Sequence, residues 1–185
     1  EIIKCGLIKK NRVLKILKTK KEKVINREYK TSANLCKETL KTKIKFFQFD
    51  VYEKNKRLIL NLGHTFAHAI EMATEEISKK ELFRHGEAVG LGILCEIYFS
   101  NPKESKLLSD TSNLLKKYKL PIKIDNGIFN KKKQILLDKI FKYIFLDKKK
   151  ISRYPRYISI KKTYHPQIKE LQDSNLIIQT INRFI

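Results

Sequence analysis

Apolar residues recur at helical spacing along most of this chain, and residues that break helices are scarce. In residues 1–18 the apolar positions are 2, 3, 7, 8, 13, 14, 16 and 17, which form a stripe along one side of a helix. The 185 residues include only six glycines and four prolines, which leaves little room for long linkers. We therefore expect a single, mainly α-helical domain, because this length is enough for one ordinary domain and too short for two.

The same periodicity predicts where the individual elements lie. The expected helices cover residues 1–18 with a break near Gly6 or Asn11, 29–49, 61–76, 86–100, 104–118, 130–146 and the tail from 166. Residues 50–56, "DVYEKNK", have the composition of a loop. Alternation in "RYPRYISI" predicts one short β element near 155–162. No internal repeat is visible.

The net charge of +22 raises the question of nucleic-acid binding, because clustered cations gain affinity by releasing counterions. Lysine supplies most of this charge, and the lysines are spread from end to end among isoleucine and asparagine. Arginine is scarce and the aromatic residues stand in apolar runs, which favours a core over a base-stacking surface. We expect no nucleic-acid partner, while a non-catalytic basic helical module remains an alternative.

Cysteine number and hydropathy indicate the compartment. Cys5, Cys36 and Cys95 are odd in number and scattered, which predicts free thiols in a reducing environment. No apolar run approaches the ~18 residues of a membrane helix, and the first ten residues lack the features of a secretory signal. We therefore expect a cytoplasmic protein that has no membrane partner.

Three of the four histidines lie within residues 57–89. His64 and His68 are four apart, so on a helix they project from one face, about one turn apart. His85 is followed by Gly86, which allows close approach of the backbone. A catalytic zinc site needs about three protein ligands and an open position, and imidazoles are suitable ligands. Because this spacing also arises by chance, it indicates a metal site only together with a wider pattern.

Such a pattern surrounds the histidines. The stretch "RLILNLGHTFAHAIE", followed by "HGEAVGLGI", resembles the 3-dehydroquinate synthases, the sugar-phosphate cyclases of the shikimate pathway, which makes the aromatic amino acids. "EIIKCGLIKK" is similar to the helix that opens the family's C-terminal domain, "KTKIKFFQFDVYEKNKRLILN" to its substrate-binding stretch, and "LDKKK" to an element near its end. The resemblance covers residues 1–150. It implies that the whole chain, 1–185, is the family's helical metal- and substrate-binding domain.

The resemblance also implies roles for individual residues. The implied ligands of a zinc or cobalt ion are Glu1, His64 and His85. The implied substrate-binding residues are Lys4, Lys43, Arg57, Asn61 and, as alternatives for one phosphate contact, Lys148 and Lys149. The implied proton acceptors or substrate-orienting groups are Glu53 and His68, and no residue of this chain is assigned to cofactor binding. Glu71 and Glu87 belong to the motif and are equally suited to accept N–H bonds from histidine ligands.

The reaction implied by the family is a phosphate-eliminating cyclisation. A carbon–oxygen lyase converts 3-deoxy-D-arabino-heptulosonate 7-phosphate to 3-dehydroquinate and phosphate, with NAD as a transient oxidant. The family's N-terminal half, an α/β domain that binds NAD, has no counterpart here, since no βαβ alternation occurs and "GLG" at 90–92 lies in an apolar helical run. We therefore expect a C-terminal part of a longer enzyme or a truncated product, inactive alone and homodimeric as the full-length enzyme.

Three positions depart from the family pattern. Ala67 stands where the family has a second glycine, which is a mild change on a helix. Val51 and Asn55 stand where glutamate and glycine are expected. Because asparagine tolerates a left-handed backbone better than most residues, we expect Asn55 to soften the loss of the glycine.

Related enzymes are the main alternatives. A sister sugar-phosphate cyclase, such as a 2-deoxy-scyllo-inosose synthase-like enzyme, would keep the metal ligands and differ around the substrate carboxylate. Arg57 and Asn61 favour the carboxylated substrate, because a guanidinium fork suits a carboxylate. A metal-dependent alcohol dehydrogenase of related architecture would not explain the R-x-x-x-N-L-G-H-T run at 57–65.

Overall fold

Helices dominate the fold, as predicted. The computed structural model describes residues 1–103, 105–124, 126–146 and 154–185. Its α-helices are α1 (Ile2–Ile8), α2 (Val13–Thr19), α3 (Lys21–Ile25), α4 (Tyr29–Phe49), α5 (His64–Ser78), α6 (His85–Ser100), α7 (Lys106–Lys117), α8 (Asn126–Phe129), α9 (Lys133–Leu146) and α10 (Ser174–Phe184). Two 3-10 helices cover Lys56–Asn61 and Asn130–Lys132, and two strands, β1 (Arg156–Ile160) and β2 (Pro166–Glu170), form an antiparallel hairpin. None of the helices within these ranges combines the length and apolar character that a membrane span requires.

The first fifty residues follow the predicted pattern closely. The helix expected over 29–49 is α4, with the same bounds, and the helix expected over 1–18 is interrupted between α1 and α2. Asn11 causes the interruption, because its side chain donates to the Cys5 carbonyl and accepts the Val13 N–H, each at 3.0 Å. These side-chain bonds replace backbone bonds of a continuous helix. The sequence pattern does not predict the short helix α3.

The helix that carries the first two histidines begins later than predicted. Instead of one helix over 61–76, a 3-10 helix ends at Asn61 and α5 begins at His64. Gly63 lies between them with φ +87°, a conformation that residues with a Cβ adopt only with strain. After α5, Lys79 reverses the chain with φ +59°, and α6 then begins at His85.

β1 confirms the β element predicted near 155–162, but the helix predicted from residue 166 is wrong at its start. Pro166–Glu170 forms β2, which pairs with β1 from Arg156 opposite Glu170 to Ile160 opposite Pro166. Because β2 is mostly exposed, its sequence lacks the alternation by which strands are recognised. The helical tail begins only at α10, where the Asp173 carboxylate accepts the Leu176 N–H at 2.9 Å.

Helix α6 lies at the centre of the fold. Every residue from Ala88 to Ile97 is buried, and α5, α7, α10 and β1 pack around this helix. This explains why its sequence has no polar face. The "GLG" of residues 90–92 lies within α6, as expected. Gly92 lets α5 begin in direct contact with α6, since a Cβ at Gly92 would lie 1.9 Å from the Gly63 carbonyl oxygen.

Candidate functional site

Three imidazole rings meet where α5 and α6 begin. His64 is the first residue of α5, His68 follows one turn later, and His85 is the first residue of α6. The ring centroids lie 5.6 Å apart for His64 and His68, 5.3 Å for His64 and His85, and 5.9 Å for His68 and His85. The short return after Lys79 therefore brings the third histidine to the first two, as the motif implied.

His64 is held in the neutral form that binds metal ions. Partial burial, reinforced by the charge of Lys4, lowers the pKa of His64 to about 4. The ring Nδ1 lies 3.4 Å from the Leu62 carbonyl oxygen, a partner that favours a proton on this nitrogen. The Nε2 lone pair is then left for an ion.

Glu71 and Glu87 have different partners. Glu71 Oε1 lies 3.0 Å from Nδ1 of His85, so this carboxylate can orient the ring in the way that metal-bound histidines usually require. Glu87 Oε2 instead accepts the Arg84 N–H at 2.9 Å, which caps the start of α6. Of the two acids that the motif offered as partners for a histidine, Glu71 therefore makes the contact.

Two sets of side chains are candidates for holding an ion. His68, Glu71 and His85 have ligand atoms that all lie within 4.8 Å of one another, the one set of this kind in the described ranges. The set implied by the family resemblance, Glu1, His64 and His85, shares His85 with it. Its imidazoles are close together, whereas its carboxylate is engaged by two lysines.

Glu1 is bound by two cations. Its Oε1 lies 2.5 Å from Nζ of the buried Lys4, and its Oε2 lies 2.5 Å from Nζ of Lys43. Partial burial alone would raise the pKa of Glu1, but the hydrogen bonds from the two lysines outweigh burial and lower it to about 2. The carboxylate is therefore ionised at neutral pH, and an ion would compete with the lysines for it.

A cavity of about 550 Å³ opens between α1, α4 and the start of α5. Its lining residues are Glu1, Lys4, Lys43, Ile44, Phe47, Glu53, Arg57, Leu60, Asn61 and His64. The lining combines three cationic side chains, two carboxylates, an amide and an imidazole with a few apolar contacts. Such a lining suits an anionic, hydroxyl-rich small molecule better than an apolar one.

Arg57 is held firmly at the edge of this cavity. Its Nη1 donates to the Val51 carbonyl at 2.7 Å, and its guanidinium lies 4.9 Å from the centroid of the Phe47 ring. Its Nη2 lies 3.7 Å from Glu53 Oε2, while Asn61 donates to Glu53 Oε1 at 2.7 Å. Arg57, Glu53 and Asn61 thus form one group, joined by the Asn61–Glu53 hydrogen bond and the longer Arg57–Glu53 ion pair. Arg57 and Asn61 both line the cavity, as their four-residue spacing suggested.

Asp50 holds the loop that leads to Arg57 in its conformation. The Asp50 carboxylate accepts the backbone N–H groups of Lys54, Asn55 and Arg57 at 2.7–3.0 Å. Asn55 has φ −138°, so the expectation that it takes over a left-handed glycine conformation is wrong. Glu53, two residues before Asn55, has φ +54° instead. The chain reverses at Glu53, and the N–H groups that follow it then point back to the Asp50 carboxylate.

Comparison with known proteins gives the family. The family described as 3-dehydroquinate synthase C-terminal matches residues 1–150. The chain belongs to this family. The curated 3-dehydroquinate synthase of Ruthia magnifica subsp. Calyptogena magnifica is 29% identical over 187 residues, and that of Vesicomyosocius okutanii subsp. Calyptogena okutanii (strain HA) is 30% identical over 188. Both comparisons cover 100% of this chain and 49% of the relative, so the chain spans about half the length of these relatives.

Solved structures of two named synthases share the fold. A 2-deoxy-scyllo-inosose synthase complexed with carbaglucose-6-phosphate, NAD⁺ and Co²⁺ has a TM-score of 0.68 and 21% identity, covering 100% of this chain and 49% of its own. A 2-epi-5-epi-valiolone synthase from Streptomyces hygroscopicus subsp. jinggangensis 5008, with NAD⁺ and Zn²⁺ bound, has a TM-score of 0.72 and 14% identity, covering 99% and 49%. These structures confirm the predicted helical fold class, and the family match over residues 1–150 confirms the predicted family.

The dehydroquinate synthase motif accounts for most of the site. Of the eleven residues for which the resemblance implied roles, seven line the cavity: Glu1, Lys4, Lys43, Glu53, Arg57, Asn61 and His64. His68 and His85 lie beside His64. Lys148 and Lys149 lie outside the described residues. The individual roles of all eleven residues stay predictions.

The motif does not indicate a role for two further residues, Phe47 and Glu96. Phe47 lies under Arg57, but in the sequence it is one of several apolar residues at the end of α4. Glu96 is completely buried on α6 and accepts the Ile158 N–H at 3.2 Å. Its signal in the sequence is an acid within the apolar run "GLGILCEIYF".

Proposed function

We propose that this chain forms the metal- and substrate-binding part of a 3-dehydroquinate synthase, a carbon–oxygen lyase of the shikimate pathway. The proposed reaction converts 3-deoxy-D-arabino-heptulosonate 7-phosphate to 3-dehydroquinate and phosphate. The observation that carries this proposal is the cavity of about 550 Å³, in which seven residues from three stretches of the motif come together. One of the seven, His64, lies beside His68 and His85.

The histidine cluster fits a divalent ion. Nitrogen ligands from His64 and His85 and a carboxylate from Glu1 form the donor set that zinc or cobalt prefers, with positions left for substrate oxygens. In this proposal Glu71 orients His85 through Nδ1. The chemistry that bound NAD supplies is reversible hydride transfer, and that of a bound ion is polarisation of substrate oxygen.

The cations of the cavity would hold the anionic ends of the substrate. Arg57 presents a guanidinium whose orientation is fixed by Val51 and Phe47, which suits a planar carboxylate. Lys4 of α1 and Lys43 of α4 supply further positive charge to the lining of the cavity. A substrate held at several points keeps one pose through consecutive steps, and this lowers the entropic part of each barrier.

Glu53 and His68 are the groups proposed to accept protons or to orient the substrate. Glu53 lines the cavity and is engaged at both oxygens, because Asn61 donates to Oε1 and the Arg57 guanidinium lies 3.7 Å from Oε2. His68 is exposed one turn from His64. A carboxylate and an imidazole are both side chains that can act as general bases.

The activity of the whole enzyme requires more than these residues. The proposal includes a nucleotide-binding half that supplies NAD, a homodimer as the complete enzyme, and a cytoplasmic location in keeping with three free thiols. We expect the 185-residue chain alone to produce no dehydroquinate when supplied with zinc, NAD and substrate. Formation of dehydroquinate by this chain would contradict that expectation.

Substrate binding tests the proposal against its closest alternative. Calorimetry with the zinc-loaded chain is expected to show that 3-deoxy-D-arabino-heptulosonate 7-phosphate binds at least about tenfold more tightly than carbaglucose-6-phosphate, which has no carboxylate. A charge-assisted hydrogen bond of about 1.5–3 kcal/mol from Arg57 accounts for that difference. Arg57→Met should abolish the preference. Equal affinity of the wild-type chain for both ligands would favour a 2-deoxy-scyllo-inosose synthase-like enzyme.

A further inference from the structure

Glu96 is an acid in the apolar centre of the fold, and the proposed reaction does not use it. Its side chain has no exposed surface, and the neighbours of α6 are otherwise mostly apolar. Burying a polar group without partners costs on the order of several kcal/mol. A carboxyl group in this position is therefore expected to have a structural task that an apolar residue cannot perform.

The contacts of Glu96 join three elements. Its Oε2 accepts the Ile158 N–H of β1 at 3.2 Å. Its Oε1 accepts no hydrogen bond from the described residues, but the N–H groups of Gly63 and Thr65 lie near the carboxyl group and oppose the effect of burial on its pKa. The Thr65 hydroxyl donates to the Arg156 carbonyl of β1 at 2.8 Å. The carboxyl group of Glu96 thus binds β1 and lies beside the residues on both sides of His64, one of which is itself bonded to β1.

The backbones of α5 and α6 are in contact at the same place. Gly92 lies one turn before Glu96, and a Cβ there would lie 1.9 Å from the Gly63 carbonyl oxygen. A Cβ on Gly63 would lie 2.8 Å from both the Ile93 nitrogen and the Val89 carbonyl oxygen. The start of α5 is therefore fixed on one side by the backbone of α6 and on the other by Glu96.

We infer that Glu96 is a positioning residue for His64, acting through the first turn of α5. The inference rests on the proposed function, in which His64 holds the divalent ion. Metal–nitrogen bonds are about 2.0–2.1 Å long and tolerate little displacement of the ligand. Residues that only orient a metal ligand commonly change metal affinity 10- to 100-fold when they are removed.

Ser100 provides a matched control. It lies one turn after Glu96 on α6, and its Oγ accepts the Ile160 N–H of β1 at 3.0 Å. The two side chains thus bond alternate residues of one strand. Ser100→Ala removes an α6–β1 bond of the same kind, while the bond from Ile158 to Glu96 and the position of its carboxyl group beside Gly63 and Thr65 stay in place.

The experiment compares the wild-type chain with Glu96→Leu, Glu96→Gln and Ser100→Ala at pH 7. Co²⁺ affinity and the visible spectrum of the bound ion report on the site, and amide hydrogen exchange reports on the first turn of α5. Glu96→Leu is expected to weaken Co²⁺ binding 10- to 100-fold and to accelerate exchange in that turn. Glu96→Gln, which keeps an acceptor oxygen, should stay within about threefold of wild type. Ser100→Ala should lower Tm and leave both readouts unchanged.

The inference would be overturned if Glu96→Leu had the same Co²⁺ affinity, visible spectrum and amide exchange as the wild-type chain. If that variant does not fold, Thr65→Val decides, because it removes the side-chain bond between the first turn of α5 and β1, the strand that Glu96 holds. We expect faster exchange in the first turn of α5 and about three- to tenfold weaker Co²⁺ binding, and unchanged values would refute the role. If the wild-type chain itself binds no Co²⁺, the proposed function fails, while exchange still decides whether Glu96 holds this turn.

Discussion

Gly92→Ala is expected to destabilise the protein, although alanine favours helices over glycine. The new Cβ would lie 1.9 Å from the Gly63 carbonyl oxygen and 3.0 Å from the Ala67 nitrogen, and no side-chain rotation can move these backbone atoms. Because heavy atoms prefer separations of about 3.5 Å, the start of α5 must move by more than about 1 Å. Overpacking of this kind costs about 3 kcal/mol, and helix propensity returns about 1 kcal/mol. The net loss of about 2 kcal/mol corresponds to a Tm lower by about 4–8 °C.

Gly90→Ala is the control on the same helix. A Cβ at Gly90 would meet only the Leu115 methyl groups, at 3.4 and 3.9 Å, which is ordinary contact. We expect this variant to gain up to about 1 kcal/mol from helix propensity. Thermal and urea denaturation of both variants and the wild type measure the difference. If Gly92→Ala were as stable as Gly90→Ala, the close crossing of α5 and α6 would not exist in solution.

Three acids lead to further predictions. Burial raises the pKa of Glu96 from 4.5 to about 8, so the folded chain keeps a proton that the unfolded chain has released. The free energy of unfolding of the wild-type chain should therefore fall by a few kcal/mol between about pH 4.5 and 8, relative to that of Glu96→Gln. If urea denaturation gave the same pH dependence for both proteins, this prediction would be contradicted. Glu71→Ala should weaken Co²⁺ binding 10- to 100-fold in calorimetry by releasing His85, and an unchanged affinity would exclude this role. Asp50→Ala should lower the urea midpoint of unfolding and weaken binding of the carboxylated substrate through Arg57, whereas wild-type values would refute the role of its three N–H bonds.

Local patterns in the sequence were enough to predict much of this fold. Helix α4 was predicted with its bounds because its apolar residues keep a period near 3.6 and no breaker interrupts them. The break between α1 and α2 was predicted near Gly6 or Asn11 and lies at Asn11, whose side chain competes with the backbone for hydrogen bonds. The association of His64 with His85 followed from the family motif and not from spacing alone, since the residues between them do not reveal how the chain returns.

The features that escaped prediction depend on contacts between distant parts of the chain. β2 is recognised only through its pairing with β1, because its own exposed residues do not alternate. Glu53 and not Asn55 has the positive φ, because the Asp50 carboxylate binds the Asn55 N–H across the loop. The choice of Glu71 over Glu87 as the partner of His85 depends on the capping of α6, which the motif does not encode.

Glu1, His64 and His85 are proposed to hold one divalent ion, and the proposed function depends most on this site. Calorimetric titration of Co²⁺ into the metal-free chain, with His64→Ala and His68→Ala as a matched pair, tests it directly. We expect one ion per chain, a loss of at least about 100-fold in affinity for His64→Ala, and a change within about tenfold for His68→Ala. Absence of binding would contradict the claim. Loss in His68→Ala with binding kept in His64→Ala would place the ion among His68, Glu71 and His85 instead.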